Sequence, residues 1–147
     1  MRSRSLLVVI AAGLLLATCK VQLLDDYDKT SEDALLRTYG QIESLFDAIA
    51  EAPDSAARSY RRFASRYAEI QEAIRVQVLR QSARPLNRES FGIISIIDTV
   101  FAVYRQRHRD SPRGLPDVLL ERQRANMRRL FMAALRAERV RKDETER

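Results

Sequence analysis

Apolar side chains recur at spacings of three and four through long stretches of this chain, and that period restricts its fold more than any other feature. Residues spaced this way share one face of an α-helix. Leu35, Tyr39, Ile42, Phe46 and Ile49 form the first stripe, in a helix expected over residues 30–52. Thr30 and Asp33 offer a cap pair at its start, and Pro53 ends it. A second helix is expected over 55–82, capped by Asp54 and closed at Arg84-Pro85. Its stripe is Tyr60, Phe63, Tyr67, Ile70, Ile74 and Val78. A third is expected over 88–109, with Asn87 as cap and Ile94, Ile97, Phe101 and Tyr104 inward. Ile93, Ile96, Val100 and Val103 widen that stripe, so this helix should be the most buried. After the turn Ser111-Pro112-Arg113-Gly114, a fourth helix is expected over 116–142. Leu119, Met127, Leu130, Phe131, Ala134 and Val140 should face inward there, and 143–147 should be a frayed charged tail. Short connections between long amphipathic helices favour antiparallel neighbours. The expected fold is an all-α, antiparallel up-down bundle of three to four helices, over residues 30–142.

The first residues obey a different pattern. Arg2 and Arg4 precede Leu6 to Ala17, an unbroken apolar run of twelve residues. A membrane-spanning helix needs about 20. The run has the length and flanks of a secretory signal. It ends in Leu16-Ala17-Thr18-Cys19, which resembles the bacterial lipobox, although Thr18 stands where Gly, Ala or Ser is usual. That resemblance implies a signal peptide over 1–18, diacylglycerol attachment at Cys19, and a tether over 19–29. Cys19 is the one cysteine in the chain, so an internal disulfide is ruled out and a Cys/His metal cluster disfavoured. Lys20 follows the cysteine. It is not the Asp that retains enteric lipoproteins in the inner membrane, so the expected location is the periplasmic face of the outer membrane.

Val21 to Ala34 (V-Q-L-L-D-D-Y-D-K-T-S-E-D-A) resembles a group of small helical lipoproteins of Gram-negative bacterial envelopes. Their lipobox cysteine is followed by an apolar-then-acidic stretch with Tyr-Asp, matched here by Asp26, Tyr27 and Asp28. Arg113-Gly114-Leu115-Pro116 is similar to their Gly-Leu-Pro turn, and Ala133 to Arg139 to the end of their last helix. The resemblance implies a helical bundle on an envelope membrane. It brings no activity and no catalytic residues.

Charge is unevenly spread. The formal net charge is +6, and removal of Arg2 and Arg4 with a signal would leave +4. Residues 20–52 hold three basic and eight acidic side chains, while residues 53–147 hold 21 basic and 12 acidic. Such asymmetry bears on docking surfaces. The first reading of the arginines is a solvated helix face with ion pairs at i,i+4. The second is contact with an anionic surface by Arg58, Arg61, Arg62, Arg128 and Arg129. Nucleic acid is not expected as a partner, because acids interrupt the basic stretches. Asp25, Asp26 and Asp28 are read as solvating the tether, favouring the first helix N-terminus or pairing with arginine on another helix. His108, between Arg107 and Arg109, is read as facing solvent at a helix end. No Ser/His/Asp set, phosphate loop or metal-ligand pair stands out, so no cofactor and no enzymatic activity are expected. The expected partners are the membrane, through N-terminal acyl chains, and an envelope protein. A binding module for an anionic headgroup or small envelope ligand is the alternative.

Overall fold

A computed structural model describes residues 27–145, which leaves the expected signal and residues 19–26 of the expected tether, Cys19 among them, outside it. Four helices follow one another: α1 Lys29–Ala50, α2 Tyr60–Ser82, α3 Arg88–Arg109 and α4 Asp117–Thr145. Each packs on the next, and α1 closes the ring against α4, while the backbones of the diagonal pairs stay apart. The result is an antiparallel four-helix bundle. Its entry end holds the start of α1, the end of α2, the start of α3 and the end of α4. The far end holds the opposite termini.

Local chemistry sets the boundaries. Asp28, not the Thr30–Asp33 pair, caps α1: its backbone is extended and its carboxylate accepts from the Thr30 amide at 2.9 Å. Asp33 instead pairs with Lys29 one turn away. Arg80 of α2 reaches Asp28 at 3.1 Å. Burial pulls the Asp28 carboxyl upward, but the Ser31 hydroxyl, the Thr30 amide and Arg80 outweigh it and hold it below 3.8. The second helix starts at Tyr60 rather than at Ser55. Asp54 does cap, accepting from the Ala57 amide at 2.7 Å, but it caps a separate turn that Ser59 breaks with an extended backbone. At the α2–α3 connection Leu86 takes a positive φ of 52° and is exposed. The α4 helix continues to Thr145, so 143–145 are helical rather than frayed.

The core is aromatic and aliphatic along most of its length. Ile42, Phe46, Tyr67, Ile74, Ile97, Phe101, Met127 and Phe131 are almost wholly buried. Tyr67 lies 5.6 Å from Phe101, and Tyr39 lies 5.5 Å from Phe131, between ring centroids. Burying one such side chain contributes about 1.5–3 kcal/mol. Two inward assignments need correction. The α3 helix is not enveloped: Ile96 and Val103 are 51% and 48% exposed, because two neighbours cover only one side of it. Val140 is 52% exposed, because the inward stripe of α4 runs through Phe131, Ala134, Glu138 and Arg141 and leaves Val140 out of phase.

Candidate functional site: the arginine surface and the buried polar ends

The arginines singled out for anionic contact do not form one patch. Arg58 is a strap within the fold. Its Nη2 donates to the Ala50 carbonyl at 2.7 Å, its Nε to the Ala52 carbonyl at 3.2 Å, and its Nη1 pairs with Asp117. It thus covers the carbonyl end of α1, where a cation is favoured, and ties it to the start of α4. Gly114 makes this possible. It has φ 75°, and a Cβ placed there would lie 2.6 Å from the Arg58 Cβ. Arg58 is therefore a structural residue, not a surface contact. Arg61 and Arg62 are exposed at the start of α2, and Arg128 and Arg129 are exposed along α4. Because α2 and α4 sit diagonally in the ring, the two pairs face different surroundings.

His108 is the largest departure from the sequence reading. It is fully buried, not solvent-facing. Nε2 lies 2.7 Å from the Arg58 carbonyl, an acceptor only, so Nε2 carries the hydrogen and donates. Nδ1 then accepts from the Tyr67 hydroxyl at 3.1 Å. Tyr60, Phe63 and Tyr67 pack around the ring, with centroids within 6.1 Å. Burial holds the imidazole below its ordinary 6.5, opposed in part by the Arg58 carbonyl. A neutral ring with both nitrogens engaged and no solvent access pins the far end; it has no free nitrogen to act as a base. Beside it, Tyr60 accepts from Arg105 Nε at 2.9 Å and Arg109 Nη2 at 3.1 Å. Burial alone would raise the Tyr60 phenol, but the Arg109 and Arg105 hydrogen bonds hold it below 10.

The entry end carries a second polar group that the sequence reading missed. The inward stripes turn polar there on all four helices. Ser31 of α1, Gln77 and Gln81 of α2, Ser90 of α3, and Glu138 and Arg141 of α4 are all buried. Gln77 donates to Thr38 Oγ1 at 2.8 Å and Gln81 to Ser31 Oγ at 3.1 Å, joining α2 to α1. Asn87 donates to the Gln81 carbonyl at 2.9 Å, so it bridges the turn rather than capping α3 with its side chain. Arg141 Nη1 lies 2.7 Å from both Glu138 Oε1 and Ser90 Oγ, and Arg84 approaches Glu138 to 3.8 Å. Burial raises the Glu138 carboxyl above 4.5, with Arg141 and Arg84 pulling it back. The missed signal is periodic: Gln77 and Gln81 continue the stripe of Ile70 and Ile74, and Glu138 continues that of Phe131 and Ala134.

A third polar contact closes the ring. Arg124 of α4 meets Glu43 at 3.0 Å and Asp47 at 2.7 Å on α1. Among the described residues, no group of histidine, cysteine and carboxylates is placed to hold a metal ion. These groups tie helices together. No family model, curated protein or solved structure matches the chain.

Proposed function

We propose that this chain is a membrane-tethered lipoprotein of a bacterial envelope, whose bundle serves as a non-enzymatic interaction module. The observation that carries the reading is the apolar run Leu6 to Ala17, followed by Thr18 and Cys19, with Cys19 eight residues before the first described residue, Tyr27. Its supports are the lipobox resemblance and the similarity to helical envelope lipoproteins. Among the described residues, no helix is long and apolar enough to cross a membrane, so attachment falls to the N-terminal segment. Cleavage before Cys19 and acylation would give several chains, which anchor stably where a single one binds only marginally. Lys20, rather than an aspartate, after the cysteine favours the periplasmic face of the outer membrane. The side chains that fill the bundle interior leave its outer surface as the place of contact, with an envelope protein or with the membrane itself.

Mass spectrometry of the purified mature protein tests this, with wild type beside Cys19→Ser. The expected result is a chain beginning at Cys19 with added acyl mass, absent from the variant. A full-length chain with no added mass would overturn the tether.

A further inference from the structure

We propose that the outer face shared by α3 and α4 lies on an anionic lipid surface. The proposal rests on the membrane-tether reading and says which side of the bundle meets the bilayer. Ile93, Ile96, Val100 and Val103 follow one another at spacings of three and four along α3. Ile96 and Val103 are exposed, and Ile93 and Val100 beside them are half-buried against the core, so the row forms an apolar ridge whose outer edge is Ile96 and Val103. Arg122, Arg129 and Arg136 are exposed on α4 at seven-residue spacing, about 10.5 Å apart along the axis. The two rows run side by side: Glu89 and Ile93 of α3 line one groove with Ala133, Arg136 and Ala137 of α4, so the ridge ends at one exposed carboxylate, and Asn126 of the arginine row donates to the Tyr104 hydroxyl on α3 at 2.7 Å.

This is the composition of an interfacial surface. Short β-branched side chains enter the acyl boundary, and arginine stems lie along it with their heads at the phosphates. The arginines of this row are free for that role. Arg129 bonds only the neutral Asn126, and neither Arg122 nor Arg136 is ion-paired. Arg124, one face away, is already held by the α1 carboxylates. The acidic helix is turned aside: α1 carries four carboxylates against Lys29 and Arg37 and lies diagonal to α3. The chain also enters in the right place. Lys142, near the end of α4, lies over the Tyr27 ring at 5.8 Å, so the first described residue sits beside the arginine helix. Eight residues from Cys19 to Tyr27 reach about 27 Å, against a helix layer of about 10 Å, which lets the bundle lie flat.

The test uses the full chain with Cys19→Ser and one spin label, at Val103→Cys on the ridge or at Leu36→Cys on α1. Power saturation against an aqueous relaxant reads the exposure of each label on vesicles. On vesicles with about 40% anionic phospholipid, the label at 103 should become shielded while that at 36 stays aqueous; about 0.5 M salt or a zwitterionic bilayer should reverse the shielding. Each arginine is worth about five-fold at such a surface, so replacing Arg122, Arg129 and Arg136 by Gln should weaken docking about a hundred-fold. The same three changed to Lys should keep it, with helicity by circular dichroism matched across variants. A label at 103 that stays aqueous on anionic vesicles would overturn the proposal, as would equal shielding at 36. Shielding that grows with protein concentration on zwitterionic vesicles would assign the face to protein contact instead. Because the labelled chain lacks Cys19, failure here leaves the acylation result standing, and an unacylated Cys19 leaves this measurement standing.

Discussion

Acidification from about pH 7.5 to about pH 5.5 should destabilise the bundle through His108. Unfolding frees a ring that titrates at its ordinary 6.5, whereas in the bundle it is buried with both nitrogens engaged and titrates lower. Above about pH 7.5 both states are neutral and the group adds nothing to the pH dependence. As pH falls through 6.5 the unfolded state takes up the proton and the folded state resists, so stability drops. The slope approaches 1.36 kcal/mol per pH unit, and the loss by about pH 5.5 is at most about 1.4 kcal/mol. It levels off once the pH is below the folded value. Urea unfolding of wild type and His108→Gln at several pH values between these limits reads it directly. Glutamine keeps a donor for the Arg58 carbonyl but does not titrate, so its curve should lose this slope whatever constant cost it carries. Asp28 contributes only at lower pH, because its folded carboxyl sits below 3.8. Glu138 acts with the opposite sign, since a raised carboxyl gains stability as pH falls. Parallel curves for the two proteins would refute the neutral, buried assignment of His108.

Three further outcomes are expected from thermal or urea denaturation. Glu138→Ala should cost about 3–5 kcal/mol by leaving Arg141 without its buried carboxylate, while replacing both residues by Met should recover most of that loss. Gly114→Ala should cost at least about 1–2 kcal/mol, from its positive φ and the collision with Arg58, whereas Gly40→Ala in α1, with open space around it, should gain about 0.5–1 kcal/mol. Gln123 is buried with neither amide atom hydrogen-bonded, so Gln123→Leu should raise the melting temperature by about 4 °C; a lower value would show that the amide has a partner.

The bundle was legible in the sequence because the helix period is written over long spans. The stripe of Phe63, Tyr67, Ile70 and Ile74 lies inward as expected. Residue character misled where period would have served. His108 follows Phe101 and Tyr104 at the same spacing, and the neighbouring arginines disguised its place in the stripe. Glu138 and Arg141 hold the inward phase of α4 although they are charged, whereas Val140 is apolar but out of phase. Other features had no sequence signal. The partners of Arg58 are two backbone carbonyls and an aspartate 59 residues away, brought together only by the turns. The separation of Arg61 and Arg62 from Arg128 and Arg129 depends on which helices are neighbours, which helix pattern alone does not state.

The way the ring closes has a consequence for the order of folding. Three of its seams join helices adjacent in sequence, through short turns, and form from local contacts. The fourth joins the first helix to the last. A chain emerging N-terminus first therefore presents α1, α2 and α3 as a half-built assembly with an open apolar side. The Arg124 contact with Glu43 and Asp47, and the packing of Tyr39 on Phe131, wait for residues beyond 120. Until then the growing chain exposes the surface on which aggregation and chaperone capture act.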